Sequence, residues 1–120
     1  MEKKQILVVE DESVTALDIQ RTLQDMGYDV PCTVASGEDA IQKAQENKPD
    51  LVLMDIVLAG KMSGLEAAEQ IRSRFNIPVV YVSASIDEEM LEKIKKNGQF
   101  DLILKPFEEE QLKETIKSAI

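Results

Sequence analysis

The chain has 120 residues, 43% hydrophobic and 31% charged, enough for one globular domain, taken as residues 1–120, whose core needs no staples. Acidic residues outnumber basic ones by 23 to 14, for a net charge of −9, which argues against nucleic acid or an anionic membrane as partner and is compatible with a metal cation or a basic protein surface. A single cysteine, Cys32, and no histidine exclude an internal disulfide, His-based metal sites and His-dependent triads, and point to a reducing, cytoplasmic setting.

Ile6 to Val9 is an apolar run that reads as a strand, followed by the acidic loop Glu10-Asp11-Glu12. The run is too short for a signal peptide, and nothing in the chain reaches membrane-spanning length. Ser13 is the expected cap of a first helix, with Ala16, Ile19, Leu23 and Met26 on one face and Gly27 as its stop. Tyr28, Val30, Cys32 and Val34 alternate with Asp29, Pro31 and Thr33, a period-two pattern. Pro31 cannot donate to a ladder, so this second strand is expected at a sheet edge. Ser36 caps a second helix, with Glu38 and Asp39 in its first turn and Asn47-Lys48-Pro49 at its end.

Leu51 to Met54 is the second uniformly apolar run and leads into Asp55. Such a run fits a strand buried on both faces. The largely uncharged loop Ile56 to Gly64 follows, then a helix marked by Leu65, Ala68, Ile71 and Phe75 and broken at Asn76-Ile77-Pro78. Val79 to Val82 is a fourth strand, ending at Ser83-Ala84-Ser85. A polar helix over 87–96 has few anchors (Met90, Leu91, Ile94) and closes at Asn97-Gly98. Phe100 to Leu104 reads as a fifth strand, ending in Lys105-Pro106-Phe107. The last helix starts near Glu108 and carries Leu112, Ile116 and Ile120.

Five β–α units with right-handed crossovers imply an α/β fold: a single doubly wound (βα)5 flavodoxin-like domain with a parallel five-stranded sheet of order 2-1-3-4-5. The two most apolar strands, first and third, belong at its centre. Their carboxyl ends flank the switch point, where such sheets place ligands.

Glu10 and Asp11, Asp55, Ser83 and Lys105 all fall at strand carboxyl ends. Holding two carboxylates about 4 Å apart costs roughly 4 kcal/mol at an effective dielectric near 20. Lys105 supplies one compensating charge, and a divalent cation supplies two. Oxygen ligands without His or Cys select Mg²⁺, or Mn²⁺, over zinc. An aspartate beside such a metal can attack phosphorus to give an aspartyl phosphate, with metal and ammonium stabilising the transferring oxygens. Ser83 can hydrogen-bond one of those oxygens, and the small residues Gly60 and Ala84 leave room for the group.

These residues carry a resemblance. The stretches Ile6-Leu7-Val8-Val9-Glu10-Asp11-Glu12, Leu53-Met54-Asp55, Val82-Ser83-Ala84 and Lys105-Pro106-Phe107 make the chain similar, along essentially its whole length, to the receiver domain of two-component response regulators. The resemblance implies that Asp55 accepts a phosphoryl group from a phosphohistidine on a sensor histidine kinase or phosphotransfer protein. Asp11 and Asp55 would bind Mg²⁺, with Glu10 helping through water and the backbone carbonyl of Val57 completing the protein ligands. Ser83 and Lys105 would contact the phosphoryl group, and the Lys105–Pro106 bond is expected to be cis. Phosphorylation would then remodel the surface of helix four, strand five and helix five, where a downstream protein, an output domain or a second copy of the chain could dock. The chemistry would be self-catalysed transfer to Asp55 and autodephosphorylation, not turnover as an enzyme.

The pattern departs from the family in places. Glu10 stands where Asp is commoner, the Asp55–Gly64 loop is one residue longer than usual, and Ala59 replaces a usual proline. Leu102 occupies a position that is normally aromatic and coupled to the switch, which leaves Phe100 or Tyr81 as partial substitutes.

Plainer readings exist for each residue alone. An Asp after a buried strand is commonly a turn residue, and Glu10-Asp11-Glu12 would suit a helix N-terminus, Glu12 above all. Cys32 is expected to be a buried small hydrophobe, and Glu108-Glu109-Glu110 a solvated first turn. The presence of all the partners together favours the phosphoacceptor. The alternative on the same fold is a phosphorylation-independent pseudo-receiver. A dehalogenase-like phosphatase would want Asp where Val57 stands, and a flavodoxin's phosphate would be repelled by Glu10-Asp11-Glu12. Val57 and Ser85 are expected to flank the path of attacking water and so to influence dephosphorylation.

Overall fold

The computed structural model describes residues 3–58, 60–84, 87–96 and 101–120. The elements run β1 (Ile6–Val9), α1 (Ser13–Asp25), β2 (Thr33–Val34), α2 (Gly37–Asn47), β3 (Leu51–Asp55), α3 (Gly64–Phe75), β4 (Val79–Ser83), α4 (Glu88–Lys96), β5 (Asp101–Leu104) and α5 (Glu109–Ala119). All strand pairs are parallel and the order is β2-β1-β3-β4-β5, as the alternation of elements implied. β1 and β3 are buried at every position, because strands inside a two-sided parallel sheet have no wet face.

Alternate strand residues feed two cores. Ile6, Val8, Leu51, Leu53, Val80, Val82 and Ile103 pack under Ile19 and Leu23 of α1 and Leu112 and Ile116 of α5. Leu7, Val9, Val52, Met54, Val79 and Tyr81 pack under Ala40 and Ala44 of α2, Ala67, Ala68 and Ile71 of α3, and Ile94 of α4. α4 is the lightest layer, since Ile94 is its one buried residue and Met90 adds a partly buried contact.

Three expectations change in detail. The second strand is far shorter than its alternation suggested: only Thr33 and Val34 pair with Val8 and Val9, and the earlier part touches the sheet at one bridge, Gln5 to Asp29. Pro31, between the two, has no N–H to extend the ladder. Ser13 is the first helical residue rather than the cap of α1. Glu12 holds the cap position without a side-chain cap bond and instead accepts from the Thr15 hydroxyl at 2.9 Å. Cys32 is half-buried at the edge of the α2–α3 core rather than enclosed.

The Ser36 cap and the Gly27 stop behave as expected: Ser36 Oγ accepts from Asp39 N, and Gly27 leaves α1 at φ 102°, a conformation that suits a residue without Cβ. Asp87, expected as the first residue of the fourth helix, precedes it and accepts from Met90 N through Oδ1. Ser63, not singled out in the sequence, caps α3 through Glu66 N. Of the residues named above, Ala59, Ser85, Asn97-Gly98 and Phe100 lie outside the described residues, and β5 is described from Asp101.

Candidate functional site

Because β1, β3, β4 and β5 are parallel and in register, their carboxyl ends converge on one edge. Val9 lies beside Met54, Asp55 beside Val82, and Ser83 beside Leu104. The next residue of each chain segment therefore reaches a shared rim: Glu10 after β1, Asp55 closing β3, Ser83 closing β4 and Lys105 after β5. Backbone bonds fix these exits, with Glu10 N donating to Val34 O at 2.9 Å and Lys105 N to Ser83 O at 2.8 Å.

The side chains meet there. Lys105 Nζ donates to Glu10 Oε2 at 2.9 Å and to Asp55 Oδ2 at 3.3 Å. Asp55 Oδ1 accepts from Val57 N at 3.1 Å, so each carboxylate oxygen of Asp55 has its own donor. Glu10, Asp55 and Ser83 are buried, while Asp11 stands at the exposed mouth. Carboxylate oxygens of Glu10, Asp11 and Asp55 lie within 4.8 Å of one another.

Electrostatics record the crowding. Burial pushes the Glu10 carboxyl up to about 7, the neighbouring Asp55 carboxylate pushes the same way, and Lys105 offsets part of it. Burial works against the Lys105 ammonium, but Glu10 and Asp55 outweigh it and raise its pKa. One ammonium set among three acids leaves an excess of negative charge, and the raised Glu10 pKa is the sign of it. A divalent cation with a preference for oxygen fits that donor set and that charge deficit.

The structure thus brings together Glu10, Asp11, Asp55, Ser83 and Lys105. Val57 sits beside them on an exposed loop, bonded through its N–H. The Lys105–Pro106 peptide bond is cis, as the resemblance implied. Ala84 and Gly60 are exposed, and Ala84 lines the groove beside Lys105, whereas the side chain nearest to Gly60 is Glu38. Gly64 had not been singled out for the site. A Cβ on it would collide with Asp55 O and sit 2.8 Å from Ile56 Cα, and its N–H donates to Ile56 O at 2.9 Å. The start of α3 is thereby pressed against the backbone that carries Asp55. A groove of about 590 Å³ opens beside Lys105, between α1 and the start of α5, and is lined by Val14, Ile19, Ala84, Pro106 and Phe107 among others.

The sequence model of the response regulator receiver domain matches residues 6–117. The chain belongs to that family. The transcriptional regulatory protein PdtaR of Mycobacterium tuberculosis is 29% identical over 117 residues, covering 98% of this chain and 57% of the relative. The chain spans about half the length of the curated relatives it matches. Among solved structures, the signal receiver domain of a modulated diguanylate cyclase from Desulfovibrio desulfuricans G20 superposes with a TM-score of 0.92 at 31% identity, covering 99% of this chain and 94% of that one. The receiver domain of the sensor histidine kinase PA1611 from Pseudomonas aeruginosa PAO1, described with a magnesium ion coordinated in its active-site cleft, superposes with a TM-score of 0.86 at 29% identity over 98% of each chain. The chain is therefore a receiver domain of two-component signalling with the flavodoxin-like fold. Among the described residues no helix is long and apolar enough to cross a membrane.

Proposed function

We propose that this receiver is a phosphoacceptor, that Asp55 is the acceptor, and that transfer depends on Mg²⁺. The observation that carries the reading is the meeting of Lys105 Nζ with both Glu10 and Asp55 beneath an exposed Asp11. A lone structural ion pair would not bring a third carboxylate, Asp11, to within 4.8 Å of the two that Lys105 binds, because the excess charge is costly in a buried setting. Glu10, Asp11 and Asp55 supply the carboxylates that would hold the metal, with the Val57 carbonyl completing the protein ligands. When bound, Mg²⁺ neutralises the carboxylates and the phosphoryl oxygens that approach them.

The chain's own residues do the rest. Val57 N–H and Lys105 hold the two oxygens of Asp55 and so fix its plane. An Asp55 oxygen forms a bond to phosphorus while the bond from phosphorus to the donor breaks, either to an imidazole nitrogen of a kinase phosphohistidine or to the acyl oxygen of acetyl phosphate. The electron pair leaves with the donor. Lys105 stays beside the new acyl phosphate as a counter-charge, and the Ser83 hydroxyl donates to a phosphoryl oxygen. Hydrolysis of the acyl phosphate returns the carboxylate, so the domain modifies itself rather than turning over a separate substrate. The partner that delivers the group is a sensor histidine kinase or a phosphotransfer protein. The apolar groove by Val14, Ile19 and Phe107 opens beside Lys105 and offers that donor a surface next to the acceptor.

The test is incubation with acetyl phosphate, with and without Mg²⁺, read by intact mass. The expected result is one added phosphoryl group that requires Mg²⁺ and is absent from Asp55→Asn. An unlabelled wild-type protein, or equal labelling of the variant, would reject the reading.

A further inference from the structure

The segment that leads from Asp55 to α3 is held lightly by its own backbone. Gly64 N donates to Ile56 O and closes it, while Val57 N is taken up by the Asp55 carboxylate. Among the described residues, none from 57 to 62 makes a backbone–backbone hydrogen bond. Side chains must therefore fix its path. Val57 is exposed, and the two that pack against the core under α2 and α3 are Leu58 and Met62.

Met62 has a close seat there. Gly37, the first residue of α2, is buried. A Cβ on it would lie 3.1 Å from Met62 Cγ, 3.2 Å from Met62 Cβ and 3.1 Å from Ala67 Cβ. The side chain that Gly37 lacks thus leaves a notch, and the inner part of Met62 lies against it beside Ala67 of α3. An unbranched thioether side chain suits such an irregular gap. Met62 joins the start of α2 to the start of α3. Two residues later Gly64 is pressed against the backbone of Asp55, so the seat of Met62 is linked to the acceptor by a short stretch of chain.

We propose that Met62 is a positioning residue for the acceptor: seated against Gly37, it sets where the chain before Gly64 meets Asp55, and with it the Asp55 carboxylate and the Val57 carbonyl, a role that rests on the phosphoacceptor reading above. Metal ligands lose affinity when the groups that orient them are removed, and a reacting atom displaced by about 1 Å loses much of its rate. Truncating Met62 frees the segment at its α2 end without touching a carboxylate or Lys105.

The test compares wild type with four variants. Met62→Ala removes the side chain beyond Cβ, and Met62→Leu restores its volume. Gly37→Ala fills the notch from the other side. Ile77→Ala takes buried atoms from the same core just before β4, at the end of the sheet away from the acceptor. Each is measured by urea unfolding, by Mg²⁺ titration, and by the initial rate of labelling with acetyl phosphate at saturating Mg²⁺. Met62→Ala and Ile77→Ala should both lose stability. Only Met62→Ala should also bind Mg²⁺ about tenfold more weakly and label about tenfold more slowly, with Met62→Leu recovering both. Gly37→Ala should weaken Mg²⁺ binding in the same direction, and it decides the matter should Met62→Ala not fold. Mg²⁺ affinity and labelling rate that stay at the wild-type level in Met62→Ala, or that fall equally in Ile77→Ala, overturn the role, because a merely structural residue changes stability alone. Unchanged Mg²⁺ affinity in Gly37→Ala overturns it too. Wild-type protein that binds Mg²⁺ and takes no label instead overturns the phosphoacceptor reading.

Discussion

Replacing Glu10 with Gln is expected to flatten the pH dependence of stability. The Glu10 carboxyl goes from 4.5 to about 7 in the fold because it is buried and faces Asp55. A raised acid binds its proton more tightly in the native state than in the unfolded chain. Its stabilising contribution is therefore complete below the unfolded value and is lost as pH rises through the folded one. For these two values the loss between pH 5 and pH 8 is on the order of 2 to 3 kcal/mol. The side chain is only 5% exposed, so solvent screening takes little away. Glutamine resembles the protonated acid in size and charge and cannot titrate. Urea unfolding in EDTA at pH 5 and pH 8, on wild type and Glu10→Gln, reads the contribution as a difference of differences, since the titrations of groups away from Glu10 are shared. Wild type should lose roughly 2 to 3 kcal/mol more than the variant over that interval, leaving the variant the more stable protein at pH 8. Parallel pH profiles would refute the account of the site's charge, and a wild type that gains stability relative to the variant on raising pH would reverse it.

Two further outcomes follow from the same geometry. Protons and Mg²⁺ compete for Glu10, so with its carboxyl at about 7 Mg²⁺ affinity should fall about eightfold from pH 7.5 to pH 6. Calorimetric titration checks this, and Glu10→Gln should show weak binding with little pH dependence. Gly64→Ala drives a methyl into Asp55 O, a clash with backbone that no rotamer relieves. It should cost about 2 kcal/mol or more in urea unfolding, with loss of Mg²⁺ binding as the Asp55 backbone is pushed away, whereas Gly27→Ala, with nothing near its Cβ, should leave Mg²⁺ affinity intact.

Much of this was legible in the residues themselves. Ile6–Val9 and Leu51–Met54 declare a doubly covered sheet because only strands buried on both faces tolerate unbroken apolar runs. Once those two are neighbours, Glu10, Asp11 and Asp55 must share a rim, and Lys105 reaches it from β5. The short pairing of β2 was harder to read: side-chain alternation continues through Pro31, but pairing depends on the backbone donor that proline lacks. The role of Gly64 was hidden because a glycine between a loop and a helix looks like any chain break; what it makes room for is the backbone of Asp55, set only by the tertiary crossing.

The central claim, that Asp55 forms an acyl phosphate, is tested most directly by trapping the bond. Protein treated with acetyl phosphate and Mg²⁺ is reduced with borohydride, which converts an aspartyl phosphate to homoserine, and the peptide that contains residue 55 is sequenced by mass spectrometry. The account predicts homoserine at position 55 alone, and none when EDTA replaces Mg²⁺. Homoserine at Asp11 or elsewhere with Asp55 unmodified, or an unmodified protein throughout, would contradict it.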